Sequence, residues 1–298
     1  MRVADSQVRT LMQQSLQTSN TELAKVMQQI STGKRLTKIS DDPSASLKLE
    51  SIRSEQEELT QYQSNIETAK TALAQSEQFL SSTNDTLLRI KDLVLFANNG
   101  TRSPDDLKGI SIELENLRDS LITQFNARDG SGSYLFSGTY SDQPAIVAGT
   151  NPNEYVVQGN SSTRETLVGR GIRIETNVTA QAMIGSGANT LTELSAFISD
   201  LAVGSVNSSS ASSSLDAVDS IFSEVQKSIT TLGGRQSFLN THSDNIARNK
   251  LFLDKVSTEI SSLDMSEAST RLQSYLQGLE ASHLTFKRIS ELNLFNLM

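Results

Sequence analysis

Every seventh residue from Ile52 to Val94 is apolar, a series made of Ile52, Leu59, Ile66, Leu73, Leu80, Leu87 and Val94. A second unbroken series runs through Val218, Val225, Leu232, Leu239, Ile246, Leu253 and Ile260. A strict seven-residue spacing keeps one seam of a helix facing a partner for many turns. The pattern therefore predicts two long helical rods, one from each half of the chain. A companion seam in the first rod is weaker. Tyr62, Ala69 and Ile90 are apolar, whereas Glu55, Ser76 and Thr83 interrupt it. In the second rod the companion seam shifts from Phe222 and Ile229 to Val256 and Leu263, and Gly233-Gly234 marks an expected bend.

Boundaries follow from caps and breakers. A first helix is expected from about Val3 to Ser31, with Leu16, Leu23 and Ile30 seven apart, and Gly33 stops it. Asp41 or Asp42 caps the first rod and Pro43 suits its opening turn; the rod continues to about Asn98 and Gly100. Some 55 residues at a rise of 1.5 Å make it roughly 80 Å long. Ser103-Pro104-Asp105-Asp106 restarts a helix that carries Leu107, Ile110, Leu114, Leu117 and Leu121 to about Arg128, antiparallel to the first rod.

The period then changes from helical to alternating. Short strands are expected at Tyr134–Phe136, Ala145–Ala148, Glu154–Gln158, Glu165–Val168 and Ile172–Thr176, joined by turns at Gly149–Asn153 and Gly169–Gly171. A helix is expected from about Thr190 to Leu201. The tract Ser205–Ser214, with six serines from Ser208 onward, reads as a mobile linker. The second rod is expected from about Leu215 to Leu263. A last helix, about Ser266 to Leu297, carries Leu272, Leu279 and Phe286 seven apart, with Tyr275 and Ile289 between.

The fold class is mainly α with a β-rich insert, a long coiled-coil-like bundle formed by both chain ends. The expected division is an N-terminal assembly helix (1–40), a helical rod domain (41–129 and 215–265) and a β-rich outer domain (130–204). A Ser-rich linker (205–214) and a C-terminal assembly helix (266–298) complete it. The terminal stripes need burial, and the chain is apolar through Leu294, Phe295, Leu297 and Met298. A partner subunit is the natural cover. Leu16, Leu23, Ile30, Leu272, Leu279, Phe286, Ile289 and Phe295 are the candidate assembly residues. The candidate seam residues are Ile52, Leu59, Ile66, Leu73, Leu80, Leu87, Val225, Leu232, Leu239, Ile246 and Leu253.

Composition narrows the function. The 298 residues are 36% hydrophobic but only 5% aromatic, as suits narrow Leu, Ile, Val and Ala stripes rather than a large enzyme core. Net charge is −8, a poor basis for neutralising phosphates, so no nucleic-acid partner is expected. The absence of Cys excludes disulfides and thiolate chemistry. No apolar run approaches membrane-spanning length, and Met1–Gln7 begins no cleavable signal. His242 and His283 stand 41 residues apart and read as surface or seam-edge residues; no metal, cofactor or catalytic constellation is expected.

The segment Ile30-Ser31-Thr32-Gly33-Lys34-Arg35-Leu36, followed by Ser40-Asp41-Asp42-Pro43, resembles a signature stretch of the flagellin superfamily. Glu259–Ala268 with the following helix to Leu297 resembles its C-terminal counterpart. Gly132-Ser133-Tyr134-Leu135-Phe136-Ser137-Gly138-Thr139, then Gln143-Pro144, resembles a segment of the flagellar hook–filament junction proteins in particular; Ala145 stands where that family carries an aromatic. The signature positions are thus Gly33, Arg35, Asp41, Asp42, Tyr134, Leu135, Phe136 and Gly138. The resemblance implies a structural adaptor joining hook to filament and templating flagellin polymerisation, exported through the flagellar type III pathway to the extracellular flagellum. It also implies partners: copies of itself in a ring, a second hook-associated junction protein, flagellin, and a cytoplasmic export chaperone at the C-terminal helix. No membrane partner is implied. Flagellin itself, a non-flagellar coiled-coil scaffold and a type III translocator or needle-tip protein are the alternatives.

Overall fold

In the computed structural model the described residues are 2–99, 102–151, 153–185 and 187–295; for 2–6, 8–9 and 289–295 only the backbone is described. Gly100, Pro152 and Ser186, expected at turns, and the apolar end 296–298 lie outside the described residues.

The elements in order are α1 (Arg2–Thr32), a 3-10 turn (Ile39–Asp41), α2 (Pro43–Asn98), α3 (Pro104–Phe125), β1 (Ile146–Ala148), β2 (Tyr155–Val157), β3 (Glu165–Gly169), β4 (Ile172–Glu175), α4 (Ala180–Ile184), α5 (Asn189–Ala202), α6 (Ser208–Ser261) and α7 (Met265–Phe295). The fold is mostly helical with a small β insert. The chain divides into two compact units, Met1–Glu58 with Arg248–Met298, and Leu59–Ala247. The long helices α2 and α6 contribute to both.

In the central unit α2 and α6 run antiparallel. Their flanks carry contacts at nearly seven-residue steps: Lys91 Nζ to Asp219 at 2.6 Å, Asn84 to Gln226 at 2.7 Å and Glu77 to Gln236 at 2.8 Å. Between these flanks the seam residues Ile66, Leu73, Leu80, Leu87, Val225, Leu232 and Leu239 are wholly shielded from solvent, and Ile246 is buried. The polar interruptions Ser76 and Thr83 are buried too. Each hydroxyl donates to the carbonyl four residues earlier, Ala72 and Phe79, both at 2.9 Å, so the seam contains no unmet donor there. Gly233-Gly234 lies within continuous helix, and a Cβ at either position would meet nothing within 4 Å.

α3 opens with a capping box. Ser103 Oγ accepts from the Asp106 N–H, and the Asp106 carboxylate accepts from the Ser103 N–H. The helix ends three residues earlier than its pattern suggests because Asn126 turns into the insert. There it exchanges two hydrogen bonds with the Ile146 backbone, at 2.8 and 2.9 Å. The insert holds two antiparallel hairpins, β1–β2 and β3–β4. Tyr134–Phe136 is not a strand. It forms an isolated bridge at Arg128–Tyr134 and otherwise packs as loop, with Phe136 edge-on to Phe125 at 6.3 Å. The short helix α4 has no counterpart in the sequence pattern.

The Ser-rich tract is a correction. Residues 208–214 are the first two turns of α6, not a linker. Asn207 opens the helix, accepting from the Ser209 N–H with its side chain and from the Ala211 N–H with its carbonyl. Ala211, Ser214 and Val218 fall three or four apart and are buried, so the small residues continue the α6 stripe inward.

In the terminal unit α1 and α7 pack directly against one another. They are antiparallel: residues 12–16 lie beside 281–285, and 22–29 beside 271–275.

Candidate assembly surfaces

The helices α1 and α7 form a pair only partly covered by the rest of the terminal unit. Among described side chains, Val26 and Gln29 are buried on α1, and Ala268 and Leu279 on α7. The candidate residues Leu16, Leu23, Ile30, Leu272 and Phe286 are half-buried. Each therefore packs along one flank and leaves the other to solvent. Leu11, Met27, Leu276 and Leu284 are exposed. The side chains of Ile289 and Phe295 lie outside the described residues. Two shallow depressions open along the pair, about 230 Å³ beside Leu16 and about 300 Å³ beside Tyr275 and Arg35.

The segment after α1 fixes the register of the two ends. Gly33 adopts φ +66°, a conformation that L side chains rarely hold, and this turns its carbonyl toward α7's leader. Leu263 N–H donates to Gly33 O at 3.0 Å, and Arg35 N–H donates to Ser261 O at 2.8 Å. The Arg35 guanidinium adds a bond to Ile260 O at 3.1 Å, while Gln29 Nε2 donates to Arg35 O. The two acids that follow divide their work. Asp42 caps α2 through the Ala45 N–H at 3.0 Å. Asp41 instead accepts from the Thr37 and Lys38 amides and pairs with Lys25 of α1 at 2.9 Å. The Lys25 hydrogen bond, followed by the Lys38 amide, holds the Asp41 carboxyl well below the usual carboxylate range, and the same pair raises the Lys25 ammonium above its ordinary value.

In the central unit the insert is pinned to the helices at three places. The Tyr134–Gly138 loop is one: Leu135 N–H donates to Ala127 O at 2.9 Å, and Asn160 N–H donates to Ser137 O at 3.2 Å. Gly138 sits at φ +74°, and a Cβ there would come within 2.5 Å of the Asn160 carbonyl oxygen. Ala145, at the family's aromatic position, is wholly buried. The second place is Arg118 of α3, 5% exposed, which bonds Asp119 at 2.9 Å and Ser195 of α5 at 3.4 Å and lies over the Tyr155 ring. The third holds the β3–β4 hairpin between the long helices. Asn65 Nδ2 donates to Leu167 O at 2.7 Å, His242 Nε2 lies 2.9 Å from Val168 O, and Arg235 pairs with Glu175. Arg118, Asn65 and Arg235 were not legible as contacts. Arg118 alone left a trace, as a charge set within the apolar stripe of α3. Among the described residues no group of His, Asp and Glu could hold a metal, and no helix is long and apolar enough to cross a membrane.

Residues 4–141 match the bacterial flagellin N-terminal helical region, and residues 215–298 match the bacterial flagellin C-terminal helical region. Flagellar hook-associated protein 3 of Salmonella typhimurium is 26% identical over 300 residues, 94% of either chain. A solved structure from Vibrio parahaemolyticus, described as a flagellar hook-associated protein, is 38% identical with a TM-score of 0.70; the match covers 74% of this chain and all of that one. The flagellar junction protein FlgL of Legionella pneumophila, at 17% identity, shares the fold with a TM-score of 0.56 over 74% of this chain and 100% of its own. Paired terminal helices around an inserted β-containing region thus define a flagellin-type structural protein. Within that class, the chain belongs to the family of flagellar hook-associated protein 3.

Proposed function

We propose that this chain is the extracellular adaptor between the flagellar hook and the filament, the surface on which flagellin begins to polymerise. The end-to-end resemblance to hook-associated protein 3 carries this reading. The half-covered stripes of α1 and α7 supply a physical route. Leu16, Leu23, Leu272 and Phe286 each leave apolar area in water, and a neighbouring copy that covers it gains about 25 cal/mol for every Å² removed. Copies arranged in a ring would complete these stripes. A second hook-associated protein on one side and flagellin on the other would extend them. Before assembly the same α7 stripe suits a cytoplasmic chaperone, and export would follow the flagellar type III route.

The test is electron microscopy of cells lacking this gene, with a blot for flagellin in the medium. Bare hooks and shed flagellin are expected; filaments of normal length would overturn the reading. Substituting Phe286→Asp should reproduce the bare hooks while leaving the folded insert intact by circular dichroism. Flagellin itself is the second reading. The Tyr134–Thr139 segment, which resembles junction proteins rather than flagellins, weighs against it.

A further inference from the structure

Two exposed helical ridges remain that neither the α1–α7 pair nor the insert uses. One lies on α6 in the terminal unit. Leu251 is 71% and Phe252 62% exposed, and they line a shallow depression of about 530 Å³ with Arg248 and Lys255 on either side. The other lies on α2 in the central unit, where exposed Leu88 and Leu95 alternate with exposed Asp85 and Asp92. Spacings of three and four residues place each set on one face of its helix.

The two faces match. Arg248 and Lys255 are seven residues apart, as are Asp85 and Asp92, so each charge pair spans about 10.5 Å along its helix axis. Leucine or phenylalanine lies between the charges in both. Acids occur on the α6 face one turn outside the basic pair, at Asp244 and Glu259. With the charges aligned in either helix direction, these fall opposite Ser81 and Phe96, which are uncharged. The neighbouring bases on α2 are already engaged, Arg89 with Glu113 and Lys91 with Asp219. Both ridges are exposed in the single chain, so they do not cover each other there.

We propose that the basic ridge Arg248–Lys255 of one copy docks on the acidic ridge Asp85–Leu95 of the next. This rests on the reading of the chain as a ring-forming subunit and names the contact between copies. Two different faces make a head-to-tail joint, the kind that closes into rings or continues as helices.

The chain has no cysteine, so Leu251→Cys combined with Leu88→Cys reports this contact alone. A short bismaleimide should give dimers and higher ladders, both from concentrated purified chain and from isolated hook–filament material. Leu251→Cys with Val203→Cys, an exposed site off the ridge, should give none. Arg248→Glu with Lys255→Glu should cut ladder yield at least tenfold, and adding Asp85→Lys with Asp92→Lys should restore it. Circular dichroism verifies folding of each variant. Ladders absent from both preparations, or unchanged by charge reversal, overturn the proposal. Ladders in the purified chain alongside normal filaments in the deletion strain would keep the contact and sink the adaptor reading.

Discussion

The terminal and central units use the same heptad seams and differ in how completely they are closed. In the central unit Leu73, Leu80, Leu87, Val225, Leu232 and Leu239 reach full burial, and the insert adds Phe125, Phe136 and Phe197 at the same depth. In the terminal unit the buried apolar residues are Val26, Ile52, Leu253, Ala268 and Leu279, each retaining between 3% and 9% exposure, and the α1 and α7 stripes are half-covered. A seam of one design thus yields a self-sufficient core where a third layer, here α3 and the insert, closes over it. Without that layer it yields an unfinished surface.

The largest expected effect sharpens this contrast. Leu80→Ala removes a fully buried side chain and should cost about 3 kcal/mol by urea denaturation, within the range of core leucine truncations. Leu16→Ala, half-exposed, should cost less than about 1 kcal/mol in the isolated chain yet impair assembly. Equal costs would erase the distinction between the units. Native-state hydrogen exchange on dilute monomer addresses the same point. Amides in Met1–Ile39 and Leu263–Met298 should exchange from openings well below the global unfolding energy, and those around Leu80 and Leu232 near it. Strong protection at both ends would break the comparison.

A smaller effect tests the joint of the two ends. Asp41→Asn removes the ion pair with Lys25 and should cost about 1–2 kcal/mol after solvent screening. Because the Asp41 carboxyl is depressed in the folded chain, its contribution is present above pH 3.8 and is lost as pH falls through the lower folded value. Lys25 is raised, so its share is full below 10.5 and is lost only as pH rises beyond. The wild-type excess over Asp41→Asn should therefore shrink below about pH 4. A constant excess down to pH 2 would rule out this pair as its source. The smallest effect is a gain: Gly233→Ala has open space at Cβ and should stabilise α6 by up to about 1 kcal/mol. A loss there would show that the glycine is needed for something other than the helix.

Much of this organisation is legible in the residues themselves. Strict heptads announce α2 and α6, because no other structure rewards that spacing. Ser103 to Asp106 announces the start of α3. The two hairpins follow from alternation and turn residues. The Ser-rich tract misleads, since its composition favours solvated chain while the Ala211, Ser214 and Val218 spacing, easily overlooked among small residues, places it on a buried stripe. The division of labour between Asp41 and Asp42 is equally hidden. Either could cap α2, and only the approach of Lys25 from α1 decides which one does. For the assembly residues, spacing identifies the stripe, but how much of each side chain stays uncovered depends on neighbours far away in sequence.

The clasp between Gly33, Arg35 and the strand-like leader of α7 has a consequence for how such a chain can diverge. Its register is written in main-chain amides and carbonyls at Gly33, Arg35, Ser261 and Leu263, which are indifferent to the identity of most side chains. The outward stripes of α1 and α7 are thereby freed from the duty of aligning the two ends. They can drift to suit whatever protein lies above or below while the ends stay in step, so long as residue 33 remains a glycine.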